Sequence, residues 1–430
     1  MTDPPKRQGG RQLVVDITPL RVSPEFRRLF LGYLLAFLGR QVTVVAVPYQ
    51  IFVITGSSLA VGALGLVQVV PLLIMSLVGG SIADAVDRRK LLVISQMGLA
   101  LTAVGLAVNS AIDQPMVWVI YVLTGVNAGL SAIDIPARMA VLPSMLQREL
   151  LPAGFALNQA VAQVGGAVGP ALAGLLIAQF SLAATYGLEA VLFVLSALTM
   201  IGIRPLRPEG GGTAAGWSSV KEGLHYLKGQ RLIQSCFLID LNAMIFGMPR
   251  ALFPAIGTVV FGGDATTVGL LFAAPGVGAM LAAATAGWVG GVRRRGRVVV
   301  ISVIVWGLAI AAFGLTTWLP LALGLLAVAG AADVISAVFR NTILQLTVPD
   351  ELRGRLSAIH GAVVSGGPRL GDLEAGAVAA VTSPQFSVVS GGVLCVVGAF
   401  AIARFMPELW RYRSGPGRAP PPPAADPAPA

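Results

Sequence analysis

Long apolar stretches dominate the chain, and each has about the length of a helix that crosses a lipid bilayer. About 20 consecutive apolar residues span the hydrocarbon core of a membrane as an α-helix. A transmembrane β-barrel shows short alternating segments instead. The pattern therefore predicts an all-α integral membrane protein with twelve transmembrane helices. The predicted spans lie at 27–54, 59–83, 91–109, 115–140, 152–179, 184–203, 232–256, 267–290, 297–315, 318–341, 355–381 and 386–406.

The composition supports this prediction and excludes a soluble enzyme. The 430 residues are 55% hydrophobic and only 12% charged, whereas soluble domains carry about 25% charged residues. The chain contains no Gly-Lys pair, so a Walker A site for ATP is absent from it. Its two histidines are too few and too far apart for a metal motif. We therefore expect no enzymatic activity, no metal and no cofactor.

The basic residues indicate how the chain is oriented in the membrane. None of the 30 Lys and Arg residues lies in the six short loops that follow the odd-numbered spans. Twenty-five lie in the alternate loops, the chain ends or the adjoining span ends, as the positive-inside rule requires of cytoplasmic segments. The net charge of +10 is thus an orientation signal and does not indicate nucleic acid binding. We expect a multi-pass protein of the inner (plasma) membrane with both termini in the cytoplasm.

Composition shifts divide the chain into five segments. A break rich in Gly and Pro follows the sixth span, and residues 217–228 place apolar side chains at helical spacing, which predicts a short helix on the membrane surface. The Pro-rich end of the chain cannot form a core. The predicted segments are a cytoplasmic N-terminal segment 1–22, a six-helix bundle 23–203, a middle loop 204–231, a second six-helix bundle 232–408 and a disordered tail 409–430.

The two predicted bundles show signs of an internal repeat at an offset of 202 residues. Repeats related by an axis along the membrane normal are typical of twelve-helix transporters built from two pseudo-symmetric halves. The matched pairs are Arg138 with Arg340, Glu149 with Glu351, Gly165 with Gly367, Gly169 with Gly371, and Gly174 with Gly376.

The loop between spans two and three reads GSIADAVDRRK and begins at Gly80. This segment resembles the cytoplasmic motif of the major facilitator superfamily. The resemblance implies a gate in which Asp84 faces the start of span eleven and Arg88 pairs with an acid on span four, for which Asp134 is available. The alternative is that Arg88 and Arg89 only anchor the loop on the cytoplasmic side.

Span five carries a second motif, in the stretch GGAVGPALAG. Glycines four residues apart let helix backbones touch, and proline bends a helix. The stretch resembles the span-five motif of the superfamily's antiporters, which implies export, although ordinary helix packing also uses small residues. Neighbouring segments and GLHYL in the middle loop resemble the subgroup of siderophore (enterobactin) exporters and macrolide-type efflux proteins. The motif residues are Gly165, Gly169, Pro170 and Gly174.

Charged residues inside the predicted spans are candidates for coupling and substrate binding. Insertion of a charged side chain at the centre of a membrane helix costs about 2.5–3.5 kcal/mol or more, so each such residue is expected to have a structural or functional role. Asp134 with Arg138, and Arg369 with Asp372, have the spacing of pairs along one helix. Asp240 has no base nearby in sequence, and an isolated buried acid can hold and release a proton.

We therefore expect Asp240 and Asp333 to be the proton-coupling candidates, against a structural hydrogen bond or a salt bridge between helices. Arg40 with Gln41 in span one, and Arg340 in span ten, are the candidates that line a substrate cavity. Arg40 favours an anionic or catechol-like substrate, or else only neutralises Asp372 or Glu374.

Two functions remain open from the sequence. The first is a proton-coupled exporter of a siderophore or amphiphilic drug, in which two bundles rock about a central site. The second is a lysolipid flippase or facilitator, or a uniporter, that needs no protons. The expected partners are the small-molecule substrate, protons and the lipid bilayer.

Overall fold

A computed structural model describes residues 16–206 and 225–413, except for the side chains of 76–85, 286, 290, 350, 351 and 358. The described chain forms twelve long helices, which confirms the predicted all-α membrane fold. We number them α1 Pro24–Thr55, α2 Ser58–Ala85, α3 Arg88–Ala111, α4 Val117–Val141, α5 Leu151–Gln179, α6 Leu182–Ile201, α7 Arg231–Phe246, α8 Ala265–Ala284, α9 Arg295–Leu315, α10 Leu319–Thr347, α11 Asp350–Val381 and α12 Pro384–Phe405.

Local capping explains where several helices begin and end. Ser23 caps α1 by accepting a hydrogen bond from the Phe26 backbone N–H at 3.1 Å. Gly56 ends α1 with a left-handed backbone, φ 63°, which glycine adopts without strain. Ser181 and Ser383 cap α6 and α12 in the same way. These two serines are 202 residues apart, so the offset of the sequence repeat continues in the helix caps.

Eleven of the described helical segments are long and apolar enough to cross a membrane. The long helix outside this set is α11, which contains Arg369, Asp372 and Glu374 and is therefore less apolar. At a rise of about 1.5 Å per residue, its 32 residues are nevertheless more than long enough to span the hydrocarbon core.

The seventh span is not the continuous helix that the sequence predicts for 232–256. The regular helix α7 ends at Phe246, and a 3₁₀ turn Arg250–Leu252, a short helix Phe253–Ala255 and a π-helical segment Ile256–Val260 follow. Pro249 cannot continue the backbone ladder. The Trp306 indole N–H instead donates to the Gly247 carbonyl at 2.7 Å. Because of this break, Arg250 lies in a 3₁₀ turn beyond the end of α7.

The twelve helices pack as two bundles, α1–α6 and α7–α12, that meet along two seams. One seam joins α2 to α11 and the other joins α5 to α8. Both described chain ends lie on one side of the molecule, here called the terminal side. Glu25 contacts Arg204 there at 3.4 Å, and Arg231 contacts Glu408 at 3.6 Å. The opposite side is called the far side.

The seams close the far side through glycine contacts. A Cβ atom on Gly62 would lie 2.6 Å from the Asp372 carbonyl oxygen, and one on Gly174 would lie 2.4 Å from the Ala265 carbonyl oxygen. One apolar cluster on this side contains Val61 from the first bundle and Val268 from the second, whereas the terminal-side clusters each belong to one bundle. The two bundles are therefore in contact on the far side and separate towards the terminal side.

The end of the described chain is helical, so the predicted disordered tail 409–430 begins too early in the sequence. A short helix, Pro407–Arg411, packs on the start of α9, where Leu409 is fully buried. The Arg297 guanidinium lies 5.2 Å from the centre of the Trp410 ring. Residues 414–430, most of the predicted surface helix 217–228 and residues 1–15 lie outside the described residues.

Candidate functional site

A cavity of about 910 Å³ lies between the two bundles. Residues of α1, α2 and α4 line it from the first bundle, and α8, α11 and the turn after α7 line it from the second. Its far-side end lies at Val61 and Ala251, next to the closed glycine seams. Its other end reaches Ile135 and Ile359 in the terminal-side halves of α4 and α11. This shape is that of a bundle pair open towards the terminal side.

The charged residues of the cavity wall are mostly cationic. Among the described residues that line the cavity, Arg40, Arg250 and Arg369 face a single acid, Asp372. Asp372 accepts a hydrogen bond from the Ala251 backbone N–H at 3.1 Å. The predicted contact between Arg369 and Asp372 is absent from the described ion pairs, and the buried Nε of Arg369 has no hydrogen-bond partner there. Among the described residues, neither Arg250 nor Arg369 forms an ion pair that an incoming anion would have to break.

Asp134 is the centre of a buried polar network in the first bundle. Its Oδ1 lies 3.3 Å from Nη2 of Arg138, and its Oδ2 lies 3.2 Å from Nη1 of Arg40. The Gln96 side-chain amide donates to Oδ1 at 2.7 Å. The Arg138 guanidinium also lies 5.9 Å from the centre of the Tyr33 ring. One carboxylate is thus shared by two arginines, which gives this network an excess positive charge.

This network corrects two expectations from the sequence. Arg40 pairs with Asp134 of α4 and not with Asp372 or Glu374. Arg88 does not pair with Asp134, because Asp134 lies in the bundle interior, nearly two turns before Ala140. The Arg88 guanidinium donates to the Ala140 carbonyl at 3.1 Å instead.

The second bundle holds a comparable network around Asp240. The sequence suggests that Asp240 has no base nearby, and the structure shows this to be wrong. Its Oδ1 lies 2.7 Å from Nη2 of Arg340, which comes from α10, and its Oδ2 lies 4.0 Å from Nδ1 of His360 on α11. Arg340 also donates to the Ser336 hydroxyl at 2.9 Å. Three helices therefore meet at one buried carboxylate.

Asp333 differs from Asp134 and Asp240 in its surroundings. It lies in α10, two turns before Arg340, and is partly exposed. Within the described part of the chain, it has neither an ion pair nor a hydrogen bond from its side chain. Of the two predicted proton carriers, Asp333 is thus the one whose side chain has no ion pair or hydrogen bond among the described residues.

Two of the predicted cavity residues lie elsewhere. Gln41 points towards α5, where its side-chain amide donates to the Gly165 carbonyl at 3.3 Å. Arg340 is 1% exposed and held by its ion pair with Asp240. Arg40 alone of the three predicted residues lines the cavity. Gln41 lies about 100° around α1 from Arg40, and this rotation brings its side chain to the α5 side of the helix.

The span-five motif lies at two helix contacts. Gly165 and Gly169 face α1, where Cβ atoms on them would lie 2.6 Å from Phe37 and from Gln41. Gly174 faces α8, and the carbonyl of Pro170 lies 2.6 Å from the position of a Cβ on Gly269. The motif therefore joins α5 both to its own bundle and to the opposite one.

The predicted gating motif is only partly described. Gly80 and Asp84 lie in the stretch 76–85, whose side chains are outside the described part of the structure. Asp87 caps α3 by accepting a hydrogen bond from the Arg89 backbone N–H at 2.9 Å. The same carboxylate accepts a bond from the Leu206 backbone N–H at 3.1 Å. Asp87 therefore has a structural role that the motif comparison does not suggest.

Several residues of the site are not predicted by the sequence reasoning. Arg250 reaches the cavity because α7 breaks before it, and no periodic pattern signals that break. Gln96 and His360 join the buried networks from other helices, so their sequence neighbours give no indication of it. Glu189 contacts Thr43 across the α1–α6 interface. A charged residue inside a predicted span is the sequence feature that indicates such a role for Glu189.

The comparison with protein families agrees with this geometry. Residues 15–421 match the family described as transmembrane secretion effector. This chain belongs to that family, within the major facilitator superfamily. The fold is thus that of a membrane transporter with two six-helix bundles around a central cavity.

Similar curated proteins cover nearly the whole chain. The enterobactin exporter EntS of Citrobacter koseri is 28% identical over 97% of this chain and 98% of its own length. The enterobactin exporter EntS of Shigella boydii is 26% identical over 94% of this chain and 97% of its own length.

Solved structures share the fold at low sequence identity. The nucleoside transporter NupG matches with a TM-score of 0.72 and 14% identity, over 90% of this chain and all of its own. A bacterial homologue of the lysosomal transporter Spinster, solved inward-facing and unoccupied, has a TM-score of 0.72 and 15% identity, over 91% of this chain and 98% of its own. At this level of identity the likeness concerns the fold alone.

Proposed function

We propose that this protein is a proton-coupled exporter of an anionic, amphiphilic small molecule of the siderophore type. It works in the inner (plasma) membrane with both termini in the cytoplasm. The observation that carries the proposal is the cavity wall, where Arg40, Arg250 and Arg369 face one acid, Asp372. Planar guanidinium groups bind carboxylates and other oxyanions in pairs of parallel hydrogen bonds.

The rest of the cavity wall is suited to an amphiphile. Apolar residues from both bundles, among them Val61, Leu64, Leu72, Ile135 and Phe272, surround the arginines. A ligand with aromatic rings and a negative charge would place its rings against these side chains and its charge near the cations. The names of the similar exporters support a siderophore as the ligand class.

The basic residues support the proposed orientation. The terminal side carries Arg204, Arg231, Arg404 and the arginine run 293–297. The described far-side loops carry no Lys or Arg apart from Arg250, which lies in the turn after α7 and lines the cavity. Because positively charged loops stay in the cytoplasm, the cavity is open to the cytoplasm and closed to the outside. This is the state in which an exporter takes up its substrate.

Transport follows from rocking the two bundles about the cavity. The α2–α11 and α5–α8 seams separate on the far side while the terminal side closes. We include Gly80, Asp84, Arg88 and Arg89 as the gate that holds the terminal side shut. A substrate shifts the balance between the two states only through its different affinity for each of them.

Proton coupling is assigned first to Asp333 and second to Asp240. Asp333 has no partner among the described side chains, so a change in its protonation breaks no existing ion pair. Asp240 must be released from Arg340 before it can take up a proton. The two acids therefore differ in how readily they can cycle.

A binding experiment tests the cavity assignment. Purified protein is titrated with dihydroxybenzoate, an anionic catechol, and with uncharged catechol as the matched ligand. We expect Arg369→Gln and Arg250→Gln each to weaken binding of the anion at least tenfold and to leave binding of uncharged catechol unchanged. Arg404→Gln, on the exposed end of α12, is the control. Equal binding of the anion by all three variants and the wild type would remove the cationic cavity as the substrate site.

A further inference from the structure

Glu189 on α6 is a fully buried carboxyl group with an unusual environment. Its side chain has no exposed surface. The Thr43 hydroxyl of α1 donates to one oxygen, Oε1, and the other oxygen, Oε2, has no hydrogen-bond partner among the described residues. Neither Asp134 nor Asp240 is comparable, because each contacts at least one arginine.

Among the described residues of the helices packed against α6, no cationic side chain forms an ion pair with this carboxyl group. The nearest titratable group on α6 itself is Tyr186, whose hydroxyl donates to Gln50 at 3.0 Å. The spans α3 and α5 contain no charged residue between 91 and 111 or between 151 and 179. On α1 the charged residue nearest to Thr43 is Arg40, which pairs with Asp134.

A carboxylate without a cation or further donors is strongly disfavoured in a buried site, whereas the neutral acid is tolerated. The unpartnered Oε2 is the oxygen that the proton would occupy. Burial therefore favours the protonated form of this side chain.

Thr43 connects the carboxyl group to the cavity. It lines the cavity wall together with Arg40, one turn earlier on the same face of α1. A hydroxyl group has one donor and two acceptor positions. It can accept a proton from a hydronium ion in the cavity, which leaves water, while it passes its own proton to the carboxyl oxygen that it contacts. A half-turn of the carboxyl group then exchanges the two oxygens, so that the proton lies on the side away from Thr43 and Thr43 donates again to the carbonyl oxygen.

We propose that Glu189 is a proton-binding site of the first bundle, loaded from the cavity through Thr43, and that its proton sets the affinity of the cavity for anions. In the first bundle, two arginines, Arg40 at the cavity wall and the buried Arg138, share one partner acid, Asp134. With Glu189 protonated, one positive charge remains next to the cavity. Loss of the proton cancels that charge and weakens anion binding.

Infrared spectroscopy tests the proton directly and needs no substrate. We expect the wild type to show the C=O stretching band of a protonated carboxylic acid that disappears as the pH rises. The band should be missing in Glu189→Gln and present in Glu25→Gln, whose carboxylate is half-exposed and pairs with Arg204. Thr43→Val should shift the band because the carbonyl loses its donor, and Thr43→Ser should leave it in place. A spectrum that is the same in the wild type and Glu189→Gln at every pH would overturn the proton site.

Anion binding tests the second half of the proposal, which rests on the proposed function. Affinity for dihydroxybenzoate should fall at least several-fold as the wild-type band titrates, and should stay constant with pH in Glu189→Gln. A parallel fall in both proteins would overturn the link between this proton and anion affinity. The infrared result stands by itself, so a failure of the substrate assignment is distinguishable from a failure of the proton site.

Discussion

Arg138 and Arg340 occupy equivalent positions in the two bundles, yet their acids come from different places. Arg138 finds Asp134 one turn earlier on its own helix. The equivalent residue before Arg340 is Ser336, which accepts a hydrogen bond at 2.9 Å, and the acid is supplied by Asp240 on α7. Each bundle thus joins its first and fourth helices by a buried ion pair, with the positions of acid and base exchanged.

The Asp240–Arg340 pair should contribute strongly to the stability of the second bundle. Asp240→Asn leaves a fully buried arginine without its counter-charge, which costs about 3–5 kcal/mol for a buried pair. We expect a clearly lower midpoint of thermal unfolding in detergent. Asp333→Asn is the matched control on α10 and should change the midpoint little, because among the described residues its side chain has no ion pair or hydrogen bond to lose. Equal midpoints for Asp240→Asn and the wild type would show that the pair contributes no net stability.

The two acids should also differ in transport. If Asp333 carries the coupled proton, Asp333→Asn abolishes accumulation of substrate against its gradient, because the amide cannot cycle between charged and neutral forms. Downhill exchange of labelled substrate in proteoliposomes should remain measurable, since the cavity is intact. Normal uphill transport by Asp333→Asn would transfer the coupling role to Asp240, and normal transport by both Asn variants would exclude both acids.

The residue scale also shows how far the sequence could predict these contacts. The Asp134–Arg138 contact follows from four-residue spacing on one helix. The partners Arg40 and Gln96 of Asp134, and the partner Arg340 of Asp240, come from other helices. Spacing along one chain segment contains no information on how helices are rotated about their axes, so Asp240 looked unpaired and Gln41 looked like a cavity residue.

At the scale of elements, the two seams are copies of one another. Gly174 meets Ala265 and Gly269 across the α5–α8 seam. Gly376, which is 202 residues later, meets Ser58 and Gly62 across the α2–α11 seam. The sequence repeat thus predicts the matching glycines, and the structure adds the surfaces that they contact. Small residues let these helices touch through their backbones on the far side.

A larger side chain at this seam should oppose far-side closure. A Cβ on Gly174 would lie 2.8 Å from the Gly269 Cα atom, whereas one on Gly166 of the same helix meets nothing within 4 Å. We expect Gly174→Val to favour the outward-open state and Gly166→Val to resemble the wild type. A cysteine at Ala251, at the far-side end of the cavity, should then react faster with an impermeant maleimide added from outside.

Unchanged labelling of this cysteine in Gly174→Val, with normal folding, would show that the seam does not control closure. The native Cys236 and Cys395 are buried and should contribute little background.

The break in the seventh span was beyond prediction from hydropathy. Residues 247–260 are mostly apolar, with Arg250 as their only charged residue, so their pattern is that of a continuing helix. Pro249 marks a possible break, but Pro48 and Pro170 lie inside helices that continue. The bond from Trp306 to Gly247 depends on the packing of α9 against α7, which no local pattern encodes.

At the scale of the whole molecule, simple physical rules predict the fold, and the same rules underlie the proposed orientation. Twelve apolar runs and the distribution of 30 basic residues were enough for the number of helices and the proposed orientation. The state of the molecule was not predictable, because the inward-open and outward-open forms bury much the same residues within each bundle. The far-side cluster that joins Val61 to Val268 distinguishes them.

The central claim is that the cavity selects an anion and that a proton gradient drives its export. Inside-out membrane vesicles containing the protein allow the most direct measurement. Uptake of labelled dihydroxybenzoate is compared between vesicles with an acidic lumen and vesicles without a pH gradient. We predict accumulation that requires the gradient, that is lost in Arg369→Gln and that remains in Arg404→Gln. Movement of a labelled lysophospholipid, without dihydroxybenzoate uptake and with no effect of the gradient, would contradict the account and favour a lipid flippase.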